Sequence, residues 1–132
     1  MRVVLDSNVW LAVLTTNGFC RRVWRSARKQ TRFIVSQEIL DEVTAKLLVK
    51  FGFSPRHAAL MTYFVRQQSE FILAVSKITA CRDADDNLIL AAALDSQCSH
   101  LVTGDFDLLD LKQFQSVSII TPREFSELIS KK

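Results

Sequence analysis

Four stretches of this chain place carboxylates where they could do chemistry. Asp6 follows the apolar run R-V-V-L, and Glu42 lies in S-Q-E-I-L-D-E-V (36–43). Asp83, Asp85 and Asp86 crowd into R-D-A-D-D-N-L-I-L-A-A-A-L (82–94), and Asp105 and Asp107 fall in L-V-T-G-D-F-D-L-L (101–109). Local roles cover some of them. Asp83 is a good N-cap, and acids in a first helical turn suit the positive end of the helix dipole, at roughly 0.3–1 kcal/mol each. Asp6 alone could cap the helix after it, Glu42 alone could be a solvated helix residue, and Asp105 alone could hold the turn at Gly104. Asp107 and Asp110, taken singly, read as surface or turn residues. Taken together the acids raise a different question. Several carboxylates in one place repel, and one or more must keep a proton unless a cation neutralises them. Oxygen-only ligands favour Mg²⁺ or Mn²⁺. Such an ion polarises a phosphoryl oxygen and lowers the pKa of water. A pair ~3.5–4 Å apart can serve both the attacking and the leaving oxygen of a phosphodiester.

Whether the acids converge depends on the elements that carry them. R-V-V-L-D (2–6) reads as a buried strand ending at Asp6, with a helix over 7–14 directly after it. Asn17-Gly18 marks a turn. The following helix, 19–29, turns Phe19, Cys20, Val23, Trp24 and Ala27 to one side and Arg21, Arg25, Arg28 and Arg32 to the other. Residues 32–36 make a second strand, and Ser36 caps a helix over 37–48 whose buried stripe is Ile39, Leu40, Val43 and Leu47, with Leu48 a further candidate. Ser54-Pro55 starts a helix running to about Gln68. A third strand is expected at 71–75, a helix at 84–96, and further strands at 99–105 and 116–121. Thr121-Pro122-Arg123-Glu124 forms a capping box that opens a C-terminal helix.

Strands alternate with helices and are continuous apolar runs, which argues for a mostly parallel sheet covered on both faces. The expected fold is a three-layer α/β/α sandwich, one domain over residues 1–132. In such sheets the binding crevice lies beyond the carboxyl ends of the strands. Asp6 and Asp105 end strands there, and Asp86 opens the helix that feeds the fourth strand. Glu42 sits at the border of a buried helical stripe. Asp6, Glu42, Asp86 and Asp105 are therefore the candidate metal-binding set.

The bulk properties are compatible with this. With 132 residues, 48% of them hydrophobic, the chain can bury a real core and is not of disordered composition. No apolar run approaches the ~18–20 residues that span a bilayer. Asp6 comes too early for a signal-peptide apolar region, so a cytoplasmic protein is expected. Cys20, Cys81 and Cys98 show no C-x-x-C, and His57 and His100 no zinc-like spacing, which predicts buried free thiols. The formal net charge is only +3, but Arg21, Arg22, Arg25, Arg28, Lys29 and Arg32 fall within one short segment and the acids elsewhere. That separation suits a site that uses a metal and binds a polyanion. Two other acidic Mg²⁺ folds fit less well. A receiver-like module needs an acidic pair where Asp6 is followed by Ser7, and a late Lys that strand 116–121 lacks. A haloacid-dehalogenase phosphatase needs D-x-D where this chain has Asp6-Ser7-Asn8.

D-S-N-V (6–9), S-Q-E-I-L-D-E-V (36–43), R-D-A-D-D-N-L-I-L-A-A-A-L (82–94) and L-V-T-G-D-F-D-L-L (101–109) resemble, in order and over nearly the whole chain, the PIN-domain nucleases. The branch they are most similar to is that of VapC-type toxin components of prokaryotic toxin–antitoxin modules. The resemblance implies a Mg²⁺- or Mn²⁺-dependent ribonuclease whose catalytic, metal-binding quartet is Asp6, Glu42, Asp86 and Asp105. Leu40 matches the leucine of S-x-x-x-L-x-E. Asn8 and Thr103 match polar positions that support the site, and Asp83, Asp85 and Asp107 stand as further supporting acids. Ala84 occupies a place where the family often has Pro. The implied reaction is in-line hydrolysis, with Glu42 either binding a second ion or orienting the water. Arg21, Arg25, Arg28 and Arg32 would then face the RNA backbone. A homodimer and an inhibitory protein antitoxin are also implied. A physical hint is helix 54–68, where Leu60, Met61, Tyr63, Phe64 and Val65 make a run wider than one buried stripe. The alternative is a catalytically inactive PIN-fold module that binds RNA or protein, because a fold does not by itself fix chemistry.

Overall fold

Runs of Val, Ile and Leu too short for helices set the sheet, and side-chain caps from Ser36, Ser54, Asp83, Asp105 and Thr121 mark where five of the helices start. The computed structural model describes residues 1–131. In chain order the elements are β1 (Arg2–Leu5), α1 (Ser7–Thr15), α2 (Phe19–Ala27), β2 (Arg32–Val35), α3 (Gln37–Val49), α4 (Pro55–Gln67) and β3 (Glu70–Phe71). They continue with α5 (Ala84–Asp95), β4 (His100–Val102), α6 (Phe106–Leu109), β5 (Gln113–Phe114), β6 (Val117–Ile120) and α7 (Pro122–Ser130). The strands form one six-stranded sheet in the order β3-β2-β1-β4-β6-β5, parallel except for the β5–β6 hairpin. With helices on both faces this is the three-layer α/β/α arrangement expected from the alternation of elements.

The register explains the geometry of the site. Val3 pairs with Phe33 and His100, and Leu5 pairs with Val102. Asp6 therefore leaves the sheet beside the residue that follows Val102. β1 is the strand from which the chain winds outwards in one direction, through β2 to β3, and in the other, through β4 to β6. That is the topological switch point where parallel sheets leave a crevice. Below it Val3, Val4, Ile34, Leu101 and Val102 are fully buried, and where α1, α2 and α7 meet the sheet Phe33 packs edge to face with Trp10 and Phe125, while Trp24 lies tilted against Trp10.

Three caps form as the sequence predicts. Ser36 Oγ accepts from the Ile39 N–H at 3.4 Å, and Ser54 Oγ accepts from the His57 N–H at 3.2 Å. Thr121 and Glu124 close a reciprocal capping box at 3.1 and 3.0 Å. The strand expected at 71–75 is shorter. β3 is an edge strand, and β2, its only partner, ends at Val35. The N–H groups of Val75 and Ser76 turn instead to the Asp95 carboxylate at 2.6 and 2.8 Å, and Leu73 and Val75 stay exposed. The strand expected at 99–105 ends at Val102, because the Thr103 hydroxyl takes the Asp105 N–H out of the ladder at 3.0 Å. β6 is the strand expected at 116–121, but β5, which pairs with it as a hairpin, and α6 were not expected. Each is too short for periodicity, and the hairpin places Gln115 rather than Gly at positive φ. All three cysteines are free, Cys98 buried and Cys20 and Cys81 half-buried.

Candidate metal centre

Three elements deliver acids to the carboxyl end of the sheet. β1 ends at Leu5 and hands the chain to Asp6, β4 ends at Val102 with Thr103 and Asp105 just beyond it, and α5 begins at Ala84 with Asp86 in its first turn. Asp6 and Asp86 are 4% and 6% exposed, so each carboxylate has given up most of its water. Asp6 does not spend its side chain as a helix cap. Its Oδ2 accepts from the Thr103 hydroxyl at 2.7 Å and its Oδ1 from the Ser7 hydroxyl at 3.3 Å. Fully buried Thr103 thus donates to Asp6 while accepting from the Asp105 backbone, and one hydroxyl fixes two acids relative to each other.

Asp86, Asp105 and Asp107 each offer a carboxylate oxygen, and these atoms all lie within 4.8 Å of one another. Two oxygens on opposite sides of an ion at ~2.0–2.6 Å are ~4–5 Å apart, so this oxygen-only set fits a hard divalent cation. Asp105 is half-buried and Asp107 exposed, which leaves one side open. Burial, then repulsion from Asp105, Asp83, Asp6 and Asp107, pushes the Asp86 carboxyl up to about 6. Burial also raises Asp6, opposed by the Thr103 hydrogen bond and reinforced by Glu42. Among the described residues no ion pair reaches Asp6, Asp86, Asp105 or Asp107.

The remaining candidates take distinct places. Asp83 caps α5 through the Asp85 N–H at 2.9 Å, and Asp105 caps α6 through the Asp107 N–H at 2.9 Å, so both acids combine local roles with the cluster. Asp85 lines a groove of about 350 Å³ between α3 and α5 together with Glu38, Asp41 and Glu42. Glu42 borders the cluster beside Asp6. It is paired with Lys46 at 2.9 Å, and Lys46 also donates to Asn8 at 2.9 Å. Lys46 and Ser7 escaped the sequence reading. The Glu-to-Lys spacing of one helical turn on α3 was a visible signal for Lys46, but nothing local ties Lys46 to Asn8.

The arginines do not form one face towards the acids. Arg21 donates to the carbonyls of Val13 and Leu14 at 2.8 and 3.0 Å, which caps the end of α1. Arg25 borders an apolar groove, and Arg28 lies over the Trp24 ring at 5.5 Å. Arg32 pairs in register with Arg2, at the amino end of the sheet. There Arg28, Lys29 and Arg32 line an open groove of about 670 Å³ with Arg2 and Glu70.

The sequence pattern of the family described as PIN domain matches residues 2–107, which include every acid of the cluster. Comparison with curated protein sequences gave no match. Among solved structures the chain is similar to VapBC2 from Rickettsia felis, bound to a DNA fragment from the promoter. The TM-score is 0.69 and the identity 14%, over 92% of this chain and 98% of that one. It is similar to VapC20 from Mycobacterium tuberculosis, described as a sarcin-ricin loop cleaving toxin. Here the TM-score is 0.61 and the identity 17%, over 88% of this chain and 98% of that one. PAE2754 from Pyrobaculum aerophilum matches over 100% of both chains with TM-score 0.63 and 15% identity. At these identities the likeness establishes the fold.

Proposed function

The chain belongs to the PIN domain family, and from that premise we propose that it is a Mg²⁺- or Mn²⁺-dependent endoribonuclease, the toxin component of a toxin–antitoxin module. The observation that carries this reading is the convergence of Asp86, Asp105 and Asp107, beside Asp6, at the switch point of the sheet with no balancing cation among the described residues. Buried like charges cost free energy, and their retention in a cleft points to a ligand of opposite sign.

Asp86, Asp105 and Asp107 would hold the ion, with Asp6 behind them and Glu42 at the border. A divalent ion there supplies charge to the phosphodiester and lowers the pKa of water. The chain's own groups do the rest. Thr103 and Ser7 keep the Asp6 carboxylate aimed, and Thr103 fixes Asp105 against it. Only ionised Asp86 can hold the ion, so the metal-free protein should take up metal more tightly as pH rises past about 6. Asp83 and Asp85 set the field at the start of α5. Exposed Arg25, Arg28 and Arg32 would hold the RNA backbone away from the cleaved bond, while Arg21 joins them only through the part of its guanidinium that α1 leaves free.

The likeness to VapBC2, together with an apolar surface left exposed on α4, supports the protein partners of this reading. Val65 is buried, but Leu60, Tyr63 and Phe64 on α4 remain exposed. Leu60, Met61 and Phe64 line a groove of about 360 Å³ with Val13, Leu14 and Trp24. An antitoxin segment and a second copy of the chain are the partners this reading assigns to the apolar surface and the acidic mouth. Among the described residues no helix is long and apolar enough to cross a membrane.

The test is cleavage of structured RNA by purified protein with Mg²⁺, with Mn²⁺ and with EDTA, beside Asp6→Asn. Cleavage that needs the ion and is lost in the variant supports the reading. Absence of cleavage together with absence of Mn²⁺ binding would leave an inactive PIN-fold binding module.

A further inference from the structure

The Glu42 side of the cluster differs from the Asp86 side in already having a cation. Lys46 Nζ lies 2.9 Å from Glu42 Oε1. On its own that is an i,i+4 helix pair of the kind that decorates solvated helices. The second contact is not local. Lys46 donates at 2.9 Å to Asn8 Oδ1, which crosses from α3 to the first turn of α1, two residues beyond Asp6. Both side chains of the ion pair are about 30% exposed (32% and 28%), so the ammonium sits at the lip of the site rather than in bulk water. Glu42 also raises the Asp6 pKa, which puts this corner in electrostatic contact with the cluster.

Resting on the nuclease reading above, we propose that Lys46 is the resident second cation of this centre. The chain holds one divalent ion, at Asp86, Asp105 and Asp107, and Lys46 supplies on the Glu42 side the positive charge that a second ion supplies in a two-ion centre. Displacement at phosphorus needs a deprotonated attacking water and puts negative charge on the leaving oxygen and the phosphoryl oxygens, and a positive neighbour on each side favours both. An ammonium is a compact point charge with three donors. Glu42 and Asn8 engage two of them and leave the third for a phosphate oxygen. A second divalent ion at Glu42 would have to expel an ammonium only 2.9 Å away. Glu42 and Asn8 are then positioning residues that act through Lys46, and Glu42 holds Lys46 rather than an ion.

The experiment is a Mn²⁺ titration of the metal-stripped full chain without RNA, read by the electron paramagnetic resonance of free Mn²⁺. Wild type should bind one ion per chain. Lys46→Met keeps the aliphatic stem on a partly exposed helix face and should bind two, the second being lost again in Glu42→Gln/Lys46→Met. Lys46→Arg should stay at one. In cleavage, Lys46→Met should lose ~10²-fold in kcat at low Mn²⁺, the scale of removing one charge-stabilising donor, and recover when Mn²⁺ is raised to fill the vacated corner. Two ions in wild type, or a single ion in Lys46→Met, overturns the proposal while leaving the nuclease reading intact. A wild type that binds no Mn²⁺ overturns both.

Discussion

At the two ends of β1 the same sheet treats charge in opposite ways. At the amino end Arg2 forms a bidentate pair with Glu70 at 3.2 and 2.8 Å, donates through Nε to the Ser96 carbonyl at 2.8 Å, and has Arg32 close by, 3.9 Å from the same glutamate. Four residues along, at the carboxyl end, buried Asp6 and Asp86 face each other and Asp105 without a cation. The hydrogen bond to Arg2 holds the Glu70 carboxyl below its ordinary value, whereas burial lifts Asp86 to about 6. The paired end ties β1, β3 and the end of α5 together. The unpaired end costs stability, and that cost is what a bound divalent ion would offset. Charge alone does not mark a site; charge left without its complement does.

The most severe way to test this contrast is to neutralise one acid of the unpaired end. Asp86→Asn should abolish Mn²⁺ binding and lower kcat by on the order of 10³ or more, since ligand and electrostatic roles fail together. The same change should raise the melting temperature of the metal-free protein, because it removes a buried charge. A variant that melts lower without metal would mean that Asp86 has a stabilising partner after all. Next comes the hydroxyl between the acids. Thr103→Val leaves Asp6 and the Asp105 N–H without their shared partner, and metal affinity should fall about 10–100-fold, as for other groups that orient ligands. Calorimetric titration reads this directly.

The opposite end should give the reverse pattern. Glu70→Gln should cost about 1 kcal/mol of stability, limited by solvent screening of a pair that is 36% exposed on each side, and should leave cleavage unchanged. Denaturant unfolding beside a cleavage assay separates the two. The smallest effect, and the one that sharpens the comparison most, is pH. Asp86 binds its proton more tightly folded than unfolded, so its contribution to stability grows as pH falls from about 6 towards 4. Glu70 is the mirror case, with its contribution present above the ordinary carboxylate pKa and lost as pH falls through the lowered folded value. Metal-free protein should therefore melt a few degrees higher at pH 5 than at pH 7. Asp86→Asn should flatten that slope, and Glu70→Gln should change only the more acidic limb.

Much of this was legible along the chain because the signals are local. A Val-rich run gave the end of β1, so Asp6 could be put at a strand end, the segment after β4 put Asp105 at the same end of the sheet although that strand stops three residues earlier, at Val102, and the D-A-D-D-N segment could be put at the start of α5. Where an element depends on a distant neighbour the local signal failed. β3 stops because β2 runs out beside it, and Gln115 turns a hairpin without the glycine that would announce it.

What the sequence by itself determined is the alternation of elements, the parallel sheet that follows from it, and the acids at the carboxyl ends of its strands, since capping, burial and period act within a few residues. What only the tertiary structure decided is which charges meet. Asp107 stands with Asp86 and Asp105, Thr103 bridges Asp6 to Asp105, Lys46 pairs Glu42 with Asn8, and the arginines of α2 and the turn after it divide between an α1 cap, an aromatic face and the far end of the sheet. These distances are set by strand order and register between segments up to 97 residues apart, and Coulomb and hydrogen-bond energies depend on those distances rather than on separation along the chain.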